Sequence, residues 1–314
     1  MKETGVVYIG IDVSKHSLDI DAGELGASKA ANTPAGIRRA LKALARKTGG
    51  SLQACFESTG PYSDTLAGVC RDTGVAHSVL NPYKAACFAK PVARAKTDRI
   101  DAQVIRRYAE ARCPEPATPR SEAQKAAAGL LLARDAIVKS NVALRGTLEA
   151  LTGAAAKAVR RHIAAGGREI ARLDSLIAGT VAADRELAGL TAALAQVKGV
   201  GALTAATVAA RMPEIGTLGR RRAAALAGLA PRTRESGKWR GRSFTGGGRK
   251  GVRGALFMPA TVAIRWDPHM RRVHEALMAR GKPYKAALTA VMRRLIIRLD
   301  AVARAYRAGR GGPG

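Results

Sequence analysis

Two periodicities divide this chain. Apolar runs rich in β-branched residues at 6–12, 16–22, 51–57 and 75–80 predict strands, and residues near 34–47, 62–73 and 97–112 predict helices. The first two strands are joined by a very short connection around Ser14 and Lys15, which favours an antiparallel hairpin. The later strands alternate with helices, as parallel strands require. The stretch CPEPATPRSE carries three prolines from Pro114 to Pro119, cannot be helical and reads as a linker. Residues 121 to about 190 are almost entirely helix-forming. Leu130, Ile137, Leu144, Leu148 and Leu151 fall on spacings of seven, four or three, interrupted by Arg134 and Asn141. After Gly153 the pattern returns with Ile163, Ile170, Leu173, Ile177 and Val181. Two long helices with a turn between them fit an antiparallel pair, an oligomerising coiled coil, or an ordinary bundle around a private core. From Leu190 the chain is Gly- and Arg-rich to about 255 and helical again from 284 to 306.

The expected architecture is therefore α/β plus α: an α/β domain over 1–118, a helical coiled-coil region over 119–190, and a mainly helical domain over 191–314. A hairpin followed by βαβ units is the order of a ribonuclease-H-like fold. Lys and Arg number 53 against 24 Asp and Glu, a formal charge of +29. Self-repulsion on that scale destabilises a compact chain unless a polyanion neutralises it, and nucleic acid is the polyanion that fits. A GC-rich gene would raise Arg, Ala and Gly but would not remove acids. There is no 18-residue apolar run and no signal-peptide pattern, so a soluble protein without membrane association, kept in the cytoplasm, is expected. The four cysteines, Cys55, Cys70, Cys87 and Cys113, show no CxxC pairing and read as reduced thiols.

Three constellations carry candidate chemistry. Asp12 and Glu57 lie at the ends of predicted strands, and Asp98 and Asp101 form an i, i+3 pair on a helix face. Oxygen ligands in that number suit one or two hard divalent cations, Mg²⁺ or Mn²⁺, and phosphodiester chemistry uses such ions about 4 Å apart. Taken singly, each acid also fits a cap, a turn or a solvated face. The second constellation is VKGVGALTAATVAARM, where Gly199 and Gly201 flank Val200 in a tight turn between helices. Backbone N–H groups at such a helix-hairpin-helix turn can hold a phosphate, and a close helix packing would also need the glycine. In the third, Arg232, Arg234, Lys238, Arg240, Arg242, Arg249, Lys250 and Arg253 crowd around Ser236-Gly237 and the run 246–248. Glycines admit a phosphate close to the backbone, arginines bind its oxygens in a fork, and a serine in such a nest can be a nucleophile toward phosphorus. Composition alone equally allows Ser-Gly to be a turn.

With these motifs in hand, the chain resembles the insertion sequence 110 family of transposases, DEDD recombinases related to the Piv invertase. The resemblance lies in YIGIDVSK, FESTGPY and KTDRIDAQVI, then in VKGVGALTAATVAARM, AGLAP, ESGK and the run leading to Arg253-Gly254-Ala255-Leu256. It covers almost the whole chain. It implies a RuvC-like N-terminal domain, a coiled-coil middle and a C-terminal domain bearing a serine nucleophile. By motif position the metal-binding tetrad is Asp12, Glu57, Asp98 and Asp101, and the nucleophile is Ser236. Many members carry a longer Ser/Gly run at that point, so Ser243 is the second candidate. The resemblance further implies strand exchange through a phosphoserine on donor and target DNA, a structured guide RNA encoded by the element, a homo-oligomer (dimer or tetramer) and action at the nucleoid. A metal-dependent nuclease of the Holliday-junction-resolvase kind would need the acids but not the arginine-ringed serine. A non-catalytic nucleic-acid-binding protein would not need the carboxylates at all.

Overall fold

A computed structural model describes residues 5–49, 51–57, 59–80, 88, 98–232, 235–236, 239–241 and 244–310, with 61, 98–100, 235–236, 239–240 and 310 described by their backbone alone. The chain divides into two compact units, Met1–Pro119 and Arg120–Gly314.

The first unit is built on one five-stranded sheet. Its strands are β1 (Val7–Val13), β2 (Ser17–Asp21), β3 (Ala27–Ala31), β4 (Leu52–Glu57) and β5 (Ala76–Leu80), in the order β3-β2-β1-β4-β5. β1, β2 and β3 form an antiparallel meander, and β4 and β5 continue from β1 in parallel. The hairpin and the parallel strands follow the expected order, but β3 is an addition. Its sequence ASKAA has no apolar alternation and its side chains are mostly exposed, because it is an edge strand.

Residue parity sorts the two faces of the sheet. Ile9, Ile11 and Val13 of β1, with Ala54 and Phe56 of β4, pack under helices α1 (Pro34–Lys47) and α2 (Pro61–Asp72). Thr33 caps α1 by accepting from Gly36 N at 3.2 Å, and α1 buries Ile37, Leu41 and Leu44. On the other face Tyr8 and Cys55 pack with Ile105 and Ala109 of α3 (Asp98–Arg112). Asp12 and Glu57 share parity with Tyr8 and Cys55, so both belong to the α3 face. Beyond α3 the proline-bearing segment runs extended along β5, with Gln53 Nε2 donating to Pro114 O (2.7 Å) and Ala117 N to His77 O (2.7 Å).

The second unit is helical. α4 (Glu122–Leu148) and α5 (Gly153–Ala182) form an antiparallel hairpin: Arg134 pairs with Asp174 (2.5 Å) and Asn141 Nδ2 donates to Ile163 O (3.2 Å). The capping box at Ser121 and Gln124 starts the first helix. Gly166 lets the helices close, since a Cβ there would lie 2.5 Å from Asn141 Oδ1. Only one end of the hairpin is fully packed. Ala127, Leu131, Ile177 and Val181 join the core of the unit, whereas Ile137, Leu144 and Leu148 are half-buried and Leu132 and Val142 exposed. Leu151 departs from the expected seam: it lies in the turn after Leu148, where Gly153 at φ 55° starts the return helix.

The rest of the unit consists of short helices, α6 (Arg185–Ala195), α7 (Ala202–Arg211), α8 (Gly219–Leu226), α9 (Lys250–Ala255), α10 (Phe257–Trp266) and α11 (Pro268–Ala279), around the long α12 (Tyr284–Arg310). Between α8 and α9 lie two-residue strands: β6 (Pro231–Arg232) pairs with β9 (Phe244–Thr245), and β7 (Glu235–Ser236) with β8 (Trp239–Arg240) inside them. Asp300 of α12 is buried and accepts from Gly216 N (2.8 Å) and Gly219 N (3.0 Å), which ties the α8 entry to the core.

Glu214 holds Arg249 in a two-pronged pair at 2.6 and 2.7 Å. Burial by itself would raise the Glu214 pKa, but the Arg249 guanidinium more than offsets it and holds the carboxyl below the usual range. A depressed carboxylate contributes stability above its unfolded pKa and loses it as pH falls through the folded one. The second unit should therefore lose melting temperature on acidification from the ordinary Glu range downward, and Glu214→Gln should show a shallower decline by calorimetry.

Candidate active site

Asp12 and Glu57 come together because their strands are parallel neighbours. Ile11 pairs with Phe56 in register, so Asp12 and Glu57 follow at the carboxyl ends of both strands. Asp101 arrives on α3, which crosses that face. Its approach depends on Gly10, two residues before Asp12. A Cβ at Gly10 would sit 2.0 Å from Ala102 O and 2.5 Å from Arg106 N, so only glycine allows α3 to lie this close to β1. Arg106 then fastens the helix by pairing with Asp21 of β2 and Glu110 of α3.

The electrostatics show the result. The Glu57 carboxyl is pushed above its ordinary range, first by burial and then by the negative charges of Asp12 and Asp101. Asp12 and Asp101 thus both lie near enough to act on Glu57. The fourth, Asp98, has its backbone at the first position of α3, and its side chain lies outside the described residues. Among the described residues no three His, Cys, Asp or Glu side chains are placed tightly enough to hold an ion as they stand. The donor set nonetheless fits a hard divalent cation. It is all oxygen, and its mutual repulsion is what such a cation relieves.

The glycine turn separates its two glycines. Gly199 has φ 89°, and a Cβ there would lie 2.7 Å from Pro259 O, so packing against α10 accounts for it. Gly201, the N-cap residue of α7, faces open space.

The basic segment is sorted in the same way. Arg249 is committed to Glu214. The Arg253 guanidinium donates to Gly228 O (3.3 Å) and Gly247 O (3.1 Å). Gly228 and Gly248, both at positive φ, meet backbone to backbone: a Cβ on Gly248 would stand 2.3 Å from Gly228 N. Arg249 N also donates to Leu226 O at 2.8 Å. The two ends of the segment carrying β6 to β9 are therefore clasped together, with Arg253 closing the neck. The Arg232 guanidinium lies over Gly247. Lys250 is exposed, and no described carboxylate pairs with it. Ser236 and Arg240 are placed by their backbone in the inner hairpin, where Ser236 pairs with Trp239 and Glu235 with Arg240. Arg234, Lys238, Arg242 and Ser243 lie outside the described residues.

Sequence reasoning passed over Gly10, although a glycine inside a β-branched run is a sign of close backbone approach. It also did not foresee the clasp at Gly228 and Gly248, which depends on contact between distant positions.

Comparisons with known proteins identify the family. The chain matches the description "Transposase IS116/IS110/IS902 family" over residues 191–275 and the DEDD transposase of IS110 elements over residues 9–152. It is similar to the pilin gene-inverting protein of Moraxella bovis, 28% identical over 264 residues, 82% of this chain and 81% of the relative. It is also similar to that of Moraxella lacunata, 28% identical over 312 residues, 96% of each. These matches define the class: a DNA recombinase enzyme of the transposase kind. The chain belongs to the IS110 family of transposases, whose DEDD class implies dependence on a divalent metal. No helix among the described residues is long and apolar enough to cross a membrane.

Proposed function

We propose that this transposase exchanges DNA strands through a covalent phosphoserine at Ser236, with a RuvC-like N-terminal unit holding divalent metal at Asp12, Glu57, Asp98 and Asp101. The observation that carries the acidic half is the Glu57 carboxyl, raised by burial and by Asp12 and Asp101 on one face of the sheet. When bound, Mg²⁺ or Mn²⁺ supplies Lewis acidity at the scissile phosphate. The serine half rests on the family motif ESGK and on the cationic segment around it. The Ser236 hydroxyl forms a bond to phosphorus as the bond to the leaving strand oxygen breaks, and the hydroxyl proton ends on that oxygen. The reverse step rejoins strands with no external energy source, which hydrolysis cannot do.

A DNA substrate nicked near the crossover tests the reading, because the leaving strand diffuses away and strands the intermediate. The expected product is a protein–DNA adduct mapped to Ser236. An adduct at Ser243 would move the nucleophile, and hydrolytic cutting with no adduct would hand the case to a metal-dependent nuclease.

Phosphate contacts in this reading come from Arg232, Arg234, Lys238, Arg240, Arg242, Lys250 and Arg253, and from the open turn at Gly201. Replacing Arg240 and Arg242 by Ala should flatten the slope of log affinity against log salt by about 1–2, as fewer counterions are released. An unchanged slope would remove that hairpin from the binding surface.

A structured RNA is proposed as a second nucleic-acid partner, to be sought by sequencing nucleic acid that copurifies with the protein. The half-buried tip of the α4–α5 hairpin is proposed as the seam of a homo-oligomer. Burial of a leucine is worth about 1.5–3 kcal/mol when complete, so polar replacement of Leu144 and Leu148 together should shift the mass by light scattering toward the monomer. A fold that survives with its mass unchanged would place assembly elsewhere.

A further inference from the structure

An open cleft of about 410 Å³ lies in the second unit, beside the neck of the Ser236 segment. Leu229 and Met292, both buried, line its apolar part, Lys250 and Arg253 supply its positive charge, and Thr245 of β9 lines it too. The remaining feature is Phe257, which stands in the lining with 47% of its surface exposed. The chain has only four phenylalanines and two tryptophans. Leaving a phenyl ring half in water at a cationic cleft is hard to explain by core packing, since its neighbours Leu256, Pro259 and Ala260 are the buried residues of that turn. Further along α10, Met258, Val262 and Trp266 are exposed at four-residue intervals, so the apolar surface extends away from the cleft.

We infer that this cleft binds one unpaired nucleotide of the DNA substrate, with the base stacked on Phe257 and its phosphate held by Lys250 and Arg253. An aromatic face beside a positive groove is how single-stranded nucleic acid is held without reading sequence, because every base presents a π-face. Arg253 is suited to a phosphate because its donation to Gly228 O and Gly247 O fixes the guanidinium before any ligand arrives. DNA rather than RNA is the assigned source, because the enzyme is a DNA recombinase and Thr245 belongs to the strand that closes the Ser236-bearing hairpin. The inference rests on the phosphoserine reading for its position at the crossover. Strand exchange requires bases to unpair there, and a stacking site would hold one out of the duplex while strands change partners.

The test uses the full-length protein and a nicked DNA duplex with 2-aminopurine as a single unpaired nucleotide near the crossover. Comparison arms are the fully paired duplex and an RNA duplex with the same bulge. The unpaired DNA should bind more tightly than the paired duplex by about 5- to 100-fold, the range of one aromatic–base stack, and its fluorescence should be quenched on binding. Phe257→Ala should remove both the preference and the quenching, and Phe257→Tyr should restore them. Lys250→Gln should weaken the unpaired arm more than the paired one. Equal affinity for paired and unpaired DNA, or a preference untouched by Phe257→Ala, overturns the inference, and a preference confined to the RNA arm overturns its assignment to DNA. Adduct formation is scored on the same substrates. An adduct without the preference would sink only the nucleotide site, while the preference without an adduct would sink only the phosphoserine reading.

Discussion

Ser236→Ala should fold as the parent does, keep its affinity for nucleic acid within about twofold, and lose strand exchange by on the order of 10⁴–10⁶-fold, the scale seen when a covalent nucleophile is removed. The substitution deletes one oxygen from a two-residue strand whose backbone pairing with Trp239 needs no side chain. Its surroundings are held by contacts elsewhere, at Gly228, Gly248 and Arg253. Gel shift, melting temperature and a recombination assay on one preparation separate these effects. Normal exchange by the Ala variant would remove Ser236 from the chemistry, and a variant that no longer folds would show a structural role for the hydroxyl.

The second large effect is expected at a residue with no functional group. Gly10→Ala leaves all four acids in place yet sets a methyl 2.0 Å from Ala102 O, a backbone atom that cannot swing aside. Overpacking of this kind costs about 1–3 kcal/mol, and the simplest relief is for α3 to lift, carrying Asp101 away from Asp12 and Glu57. The variant should lose most strand exchange and most of the melting-temperature gain expected of the parent on adding Mg²⁺, through linkage. Asp101→Ala distinguishes geometry from charge. The Glu57 carboxyl is raised in the folded chain, so the metal-free unit binds more protons folded than unfolded and loses stability as pH rises through that pKa. Removing the Asp101 charge should lessen this loss, so the metal-free variant should be at least as stable as the parent at neutral pH while no longer responding to metal. A full Mg²⁺ response in both variants would show that the acids are not the metal site.

How much of this was readable from sequence depended on the range of the interaction involved. β1 and β4 were legible because central parallel strands are buried on both faces and so spell continuous apolar runs, such as Tyr8, Ile9 and Ile11. β3 was not, since an edge strand built from ASKAA has little to bury. The acids stood out one by one, but parity and the β1–β4 register were needed to put Asp12 and Glu57 side by side. The docking of α3 on Gly10 joins positions far apart in the chain, and no local pattern reports it. In the second unit, the spacing of Leu144 and Leu148 announced a long helix, while Leu151 continued the pattern into a turn that only the positive φ of Gly153 explains. The short helices around Arg220 and Arg253 were hidden among glycines and arginines, and Gly199, legible as a turn, owes its place to the carbonyl of Pro259.

The glycine clasp at Gly228 and Gly248 bears on how this protein can change over evolution. Because both ends of the segment leave the helical core at one point, its tip is attached as a finger is to a hand. Lengthening such a tip adds only about 0.6 kcal/mol of closure entropy for each doubling of its length, and the strain need not pass below the neck. As far as the helices beneath are concerned, the positions between β6 and β9 other than Ser236 and its immediate neighbours can thus be rewritten or extended. A lineage can try new substrate contacts at the tip without risking the fold that carries it. By the same reasoning, exchanging tips between relatives that keep the two glycines and Arg253 should yield folded chimaeras.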